Sequence, residues 1–507
     1  MDEDALAAKV REALAEVRRL VPARRATPVL LTVVSSLAEG ADRLVAREVL
    51  GEVDALLEAP LPFLRERFRR DFETASSRRE FDELLRRAAT VIELDTGADP
   101  EEGYVRVGRY VVDRSDVLLA LWDGLPARGQ GGTAQIVKYA QERQKPLFWI
   151  RTAGHPELVA LGSETLRPSA LERLDEFNRR KVTGPLAAER LRSVRSQDEL
   201  SGADVAQVIG YAEADALSAW IFPFLTRADA LAIRIQRWFY RLTVALYFAA
   251  AAAVGVVAVQ AVLFPHRPGL VSAEVVLLVL LLSVVSYGRR LRLHRRWLSY
   301  RFLAERFRSA YFLAAAGLGQ RHAGGLERIG GRDPAEEWVQ RAFTEVWNRR
   351  PAIEPRGGVE GLRHFLAERW IREQRRYYAA AGRRNNRRHR LLVAAIYAAF
   401  LVTIAAAVPH ALGVGEEEAE GKAFSVLSIT LPALGAAFSG LLAQREYQRN
   451  SDRYNWMQQA LEVAETRMRS AETYAAVRRI AADAETTLLE ENRDWIGVMR
   501  FHDFELA

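Results

Sequence analysis

Two stretches in the first 140 residues hold side chains suited to gripping a small anion. Ser35-Ser36-Leu37-Ala38-Glu39-Gly40-Ala41-Asp42-Arg43 passes from a β-branched run into a helical pattern, and the exposed amides at such a helix start favour a phosphate or carboxylate. Asp123-Gly124 and then Gly129-Gln130-Gly131-Gly132-Thr133-Ala134-Gln135 repeat the arrangement, with glycines that let the backbone approach a phosphate and a hydroxyl from Thr133. These positions are the expected ligand contacts. Glu39, Asp42, Asp113, Asp116 and Asp123 are acids suited to ribose contacts or proton transfer, but acids at strand ends equally cap helices or pair with arginine. No catalytic residue and no metal ligand is assigned.

The absence of cysteine from all 507 residues excludes a disulfide framework, a thiolate zinc site and a cysteine nucleophile. The net charge of +7 invites a nucleic-acid reading. The basic residues, however, gather beside apolar runs, as cytoplasmic flanks of membrane helices do, so no nucleic-acid partner is expected. Lysine occurs only at positions 9, 138, 145, 181 and 422, and the arginine excess carries little functional weight. The opening MDEDALAAKVREALAEVRRL lacks the basic and apolar regions of a secretory signal. The first domain is therefore expected to stay inside the cell.

Elements must hold the two loops. From Pro28 strand-like and helix-like segments alternate: PVLLTVVSS, GADRLVAREVL, ALLEAPLPF, ATVIELD, YVRVGRYVVD, DVLLALWDG, TAQIVKYAQE and KPLFWI. Short β-branched strands between amphipathic helices predict a parallel sheet, because parallel neighbours need crossovers. Ligands of such sheets sit at the strands' carboxyl ends, where both loops lie.

The second half is different in kind. A bilayer core of about 30 Å takes roughly 20 apolar residues in a helix, and 242–264, 270–287, 391–409 and 424–442 meet that need in two hairpins. Arg227, Arg234, Arg237 and Arg241 precede the first hairpin and Arg289, Arg290, Arg292, Arg295 and Arg296 follow it; Arg383, Arg384, Arg387, Arg388 and Arg390 precede the second and Arg445, Arg449 and Arg453 follow it. Both termini are thus expected in the cytoplasm of an inner-membrane, multi-pass protein. The loop carrying Glu416, Glu417, Glu418 and Glu420 is expected outside. None of the runs has a mid-span charge, and Gly435 and Gly440 allow close helix approach. IRIQRWFYRL at 233–242 and ERWIREQRRYY at 368–378 lead into the hairpins, and long aromatic-basic helices at 296–315 and 445–465 follow them, so the unit reads as duplicated.

A two-span hairpin with basic-aromatic helices on both sides resembles the SLATT class of membrane modules, here in two copies over roughly 227–507. SSLAEGADRLVA and GGTAQ, with LPF-x-RERFRRDF and YVRVGRYVVDRSDVLLALWDG, resemble the SLOG superfamily over roughly 1–152. That group is Rossmann-like and includes DprA-type and LOG-type proteins and the N-terminal region of TRPM channels. Two departures stand out: the strand and glycine-rich turn that usually open such domains are missing ahead of the first helix, and Gln135 and Ile136 occupy the acidic positions of LOG-type enzymes. The resemblance implies a Rossmann-like α/β domain at 1–152, a helical connector at 153–226, a two-span module at 227–330, a helical connector at 331–382 and a second two-span module at 383–507. It further implies a sensor-effector of bacterial conflict defence in which a nucleotide or NAD-derived ligand, not a covalent cofactor, gates or assembles a pore. Sensing is expected rather than turnover, and the pore requires a homo-oligomer in the lipid bilayer. The alternatives are a membrane-tethered nucleotide hydrolase and a scaffold that has lost its ligand.

Overall fold

Apolar residues three and four apart put Leu6, Ala7, Val10, Ala13 and Leu14 on one buried face of helix α1 (Glu3–Leu20), with acids in its first turn and arginines in its last. That charge order complements the helix dipole. The computed structural model describes residues 3–21, 26–94, 100–126, 131–162, 169–180, 202–265, 268–318, 334–413 and 419–499. The chain divides into two compact units, Met1–Lys181 with Asp333–Trp338, and Val182–Arg332 with Val339–Ala507.

The first unit continues through β1 (Thr32–Val34), α2 (Ala41–Leu50), β2 (Leu56–Leu61), α3 (Arg65–Phe68) with a 3-10 turn, α4 (Ala75–Arg87), β3 (Thr90–Glu93) and α5 (Pro100–Arg114). Then come β4 (Leu118–Trp122), α6 (Thr133–Glu142), β5 (Leu147–Arg151), β6 (Glu157–Leu161) and α7 (Ser169–Arg179). This is the α/β unit expected. The sheet differs from the expectation: β1-β2-β3 and β4-β5-β6 form two three-stranded sheets, all parallel except that β6 runs antiparallel to β5. The connection 152–156 is too short for a crossover, so only antiparallel pairing is open to β6. A strand thus stands where a helical connector was expected from 153. The larger core reaches both sheets, with Val33, Leu57, Leu61 and Ile150 buried together and Leu119 and Leu121 packed on them, and a second, smaller core lies around Leu118, Val137 and Leu147.

The second unit is helical: α8 (Gly202–Ile209), α9 (Tyr211–Leu263), α10 (Pro268–Leu291), α11 (Leu293–Ala315), α12 (Pro334–Asn348), α13 (Gly358–Phe365), a π-helical turn at Leu366–Ile371, α14 (Arg372–Ala411), α15 (Ala419–Arg445), α16 (Tyr447–Arg469) and α17 (Tyr474–Met499). The basic-aromatic lead-ins are not separate helices; in α9 and α14 they run without a break into the apolar segments. Three helices among the described residues, within Tyr211–Leu263, Gly358–Pro409 and Ala419–Arg469, are long and apolar enough to cross a membrane. The fourth expected span, 270–287, forms α10, though some side chains at its start lie outside the described residues, as do Glu416, Glu417 and Glu418.

The duplication has a geometric counterpart. Arg292 (φ 47, ψ 41) separates α10 from α11 and Glu446 (φ 43, ψ 41) separates α15 from α16, and each following helix has 23 residues. A left-handed conformation is uncommon for a residue with a side chain, so its recurrence at one place in both hairpins is informative. Trp297, Tyr300, Leu303, Phe307, Tyr311 and Ala314 are buried in α11; Ser451, Tyr454, Met457, Leu461, Glu465 and Met468 repeat those positions, all buried, in α16. RLTVALYFAA at 241–250 and RLLVAAIYAA at 390–399 align the helices that precede them.

Behind α11 sits a buried pair of opposite charge. Desolvation pulls the Arg306 guanidinium down to about 10 and pushes the Glu485 carboxyl up to about 7, each opposed by the other's charge. Arg306 also stacks 3.8 Å from the Phe343 ring. A carboxyl raised on folding contributes stability below its ordinary value, and that contribution is lost as pH rises through about 7. The full-length protein should therefore lose thermal stability as pH rises from about 4.5 to about 7, and this group adds no further loss above that. Glu485→Gln should flatten that dependence and stabilise the alkaline form by on the order of 2 kcal/mol, read by differential scanning fluorimetry in detergent. An unchanged pH profile in the variant would remove Glu485 from the account.

Candidate functional site

The first loop is built inward. As β1 ends, the Ser35 amide donates to the Glu58 carbonyl at 3.1 Å, Leu37 turns into a left-handed conformation (φ 60) with its side chain buried, and Gly40 (φ 93) admits the chain to α2. Asp42, in the first turn of α2, folds its carboxylate back over the loop. It accepts from the Ser36 hydroxyl at 2.8 Å and from the Ser35 hydroxyl at 3.3 Å, and the Ala38 amide hydrogen-bonds to it. Desolvation outweighs these bonds and raises the Asp42 carboxyl above its ordinary value. Ala38 is half-buried, and Glu39 and Gly40 form the exposed rim.

Arg43 stands apart from the other expected contacts because its side chain points into the core. Its Nε donates to the Leu37 carbonyl at 3.0 Å, and one terminal nitrogen donates to the Ser77 carbonyl, the Ser77 hydroxyl and Glu80. The guanidinium lies 4.3 Å from the Phe72 ring centroid. The other terminal nitrogen has no hydrogen-bond partner among the described residues. Arg43 thus fixes the loop's shape by holding Leu37 in place. The sequence offered a hint, since an arginine three residues into an amphipathic helix and next to Leu44 falls on the buried side.

The second loop follows β4. The Leu125 amide donates to Asp123 Oδ1 at 3.0 Å, the Trp122 indole donates to the Leu125 carbonyl, and Gly124 takes φ 84. Gly129 and Gln130 lie outside the described residues. Gly131 (φ 82) is required twice over, because a Cβ there would sit 2.8 Å from Tyr104 Cβ and 3.0 Å from the Val105 amide. Its own amide donates to Gln135 Oε1 at 2.7 Å, so Gln135 serves as a brace for the glycine turn. Ile136 packs on the small core around Val137 and Leu147. Gly132 opens α6 with no side-chain cap, and Thr133 is exposed at its start. The expected residues therefore form two groups, each braced within itself, at the carboxyl ends of β1 and β4.

In the helical unit the contacts that matter were only partly foreseen. Gly440 of α15 lies directly under Tyr247 of α9, and a Cβ there would come within 2.9 Å of the ring's Cδ1 and Cζ. Phe248 meets Phe438 edge-on with centroids 5.6 Å apart, and Gly255 faces Thr430. At one end Arg445 covers the Tyr240 ring at 3.4 Å. Gly435 lies against Ala399 and Phe400 of α14. Beside these apolar segments, buried Glu465 of α16 is ringed by Arg372, Arg375 and Arg469 at 3.3, 3.2 and 2.7 Å.

Residues 365–495 match the family of the SMODS and SLOG-associating 2TM effector domain 1. The effector-domain match spans α14, α15 and α16 with the π-helical turn before them and most of α17. It therefore contains both halves of the second hairpin, Gly435, Gly440 and the Glu465 arginine ring, and lies wholly outside the α/β unit. Neither a curated protein nor a solved structure matches the chain significantly. The RLxVAxxxAA repeat at 241–250 and 390–399 marks α9 as the counterpart of α14.

Proposed function

We propose that the chain is a membrane sensor-effector in which the α/β unit binds a nucleotide-derived signal and the helical unit responds in the lipid bilayer. The effector-domain match over 365–495 carries this reading, because it joins a two-span membrane module to the SMODS and SLOG context of bacterial conflict defence. The repeated left-handed breaks at Arg292 and Glu446 and the repeated buried positions of α11 and α16 support a second module of the same kind in α9–α11, giving four spans. Arginines at the outer ends of both hairpins favour a cytoplasmic α/β unit.

The ligand is a nucleotide or NAD-derived anion whose phosphates meet the first-turn amides of α2 and α6. Ser36 and Thr133 supply hydroxyls, and Asp123 and Glu39 lie at the rim. A ligand moves the membrane part only through a difference in affinity between its two arrangements. Ion flux from liposomes containing the full-length protein tests this directly with cyclic and NAD-derived nucleotides. A compound that binds and triggers flux is the expected result, and silence with every compound that binds would overturn gating. Thr133→Val keeps the side chain's shape and removes one hydroxyl. It should weaken binding about tenfold by calorimetry, the effect of one lost hydrogen bond to a charged group.

A further inference from the structure

Within one chain α9 packs along α15, and α14 packs along α15 and α16, while the one extensive contact of α10 among the described residues is with α9. The internal repeat makes that asymmetry informative. α9 is the counterpart of α14, and α10 is the counterpart of α15. The α9–α15 interface therefore has a symmetry-equivalent, α14 against α10, that the described residues of a single chain do not form as an extensive contact.

The residues that would make it are present and uncovered. Phe248 and Gly255 of α9 correspond to Tyr397 and Ile404 of α14; Thr430 and Gly440 of α15 correspond to Val276 and Ser286 of α10. Phe248, in the formed interface, is 37% exposed, whereas Tyr397 is 67%, Ile404 59% and Val276 66% exposed. Ser286 is also exposed, and it keeps the position where Gly440 lets α9 come close small. Lipid alone gives no reason for a small polar residue there, while small and hydroxyl residues are what membrane helices use to pack on each other. The Arg445–Tyr240 contact does not carry over, since Leu291 and His389 stand at those positions.

We infer that α10 of one subunit docks on α14 of the next, making between copies of this chain the interface that α9 and α15 make within it. The two faces differ, so the contact is heterologous and repeats around a closed ring in the plane of the membrane. The inference rests on the reading of α10 and α14 as membrane spans.

The natural chain has no cysteine, so disulfide trapping has no background. The full-length Val276→Cys/Ile404→Cys protein, oxidised in bacterial membrane vesicles, should give a ladder of covalent multimers. Mixed single variants should give dimers, and each single variant alone should give none. Gly255→Cys/Thr430→Cys is the reference and should close within one chain, because a Cβ at Gly255 lies 3.3 Å from Thr430 Cγ2. Ser286→Trp added to the first pair should abolish the ladder. Closure of the 276/404 pair within a monomer, no link where the reference pair links, or a ladder that survives Ser286→Trp would each overturn the inference. Carbonate extraction of the same vesicles separates the two readings: protein retained in the membrane but unlinked sinks the interface alone, while release into solution sinks the membrane reading beneath it.

Discussion

Gly440→Leu is expected to cost the helical unit about 3 kcal/mol, the upper range for overpacking a close contact, and to lower its thermal stability in detergent accordingly. The cause is local. A side chain at Gly440 has to enter the Tyr247 ring, and both helices are held on either side of that point, by Gly255 with Thr430 on one side and by Arg445 with Tyr240 on the other. Neither helix can slide to relieve the clash without losing those contacts. Gly361→Ala is the control, because nothing lies within 4 Å of a Cβ at that position. A Gly440→Leu protein that melts with the Gly361→Ala protein would show that α9 and α15 do not approach as closely as described. Tyr247→Ala in the Gly440→Leu background should recover part of the loss, since it removes the obstructing ring.

Arg43→Met should destabilise the α/β unit by about 3 to 5 kcal/mol, the range for breaking a buried, hydrogen-bonded charge network by removing one partner. Methionine retains much of the apolar stem but abandons the Leu37 carbonyl, Ser77 and Glu80 together. Arg43→Lys should not rescue it, because an ammonium cannot bridge Leu37 and Ser77 while lying flat on Phe72. Hydrogen exchange on the full-length protein reads the effect: amides of α2 and α4 should lose protection while α15 and α16 keep theirs. Retained protection across α2 would mean that the loop holds its shape without this guanidinium. Ligand binding should fall along with stability, and the exchange pattern distinguishes this indirect loss from the direct loss expected at Thr133.

Much of this organisation was legible in the order of residues. Helix and strand spacing from Pro28 onward, the glycine turn at Gly131-Gly132 and the two loops at strand ends are written within a few residues of one another, where local conformational preference and burial pattern act. The apolar runs are equally local, since hydropathy over some 20 residues fixes whether a helix suits a bilayer. The complete lack of cysteine needed no structure either.

Tertiary structure decided where each side chain faces and which segments meet. Arg43 is one residue from Asp42 in sequence, yet one enters the core and the other folds over the loop, because Ser77 and Phe72 arrive from more than 25 residues away. Gln135 could not be known as a brace until the turn brought the Gly131 amide to it. The short return from β5 to β6 set an antiparallel edge that strand propensity does not specify. Above all, the repeat predicts two equivalent hairpins, while α9 packs more extensively along α15, nearly 200 residues away, than along its own hairpin partner α10. Hydropathy says that a helix belongs in lipid but not which helix it prefers, because that choice depends on the shapes of two surfaces that only meet once the chain has folded.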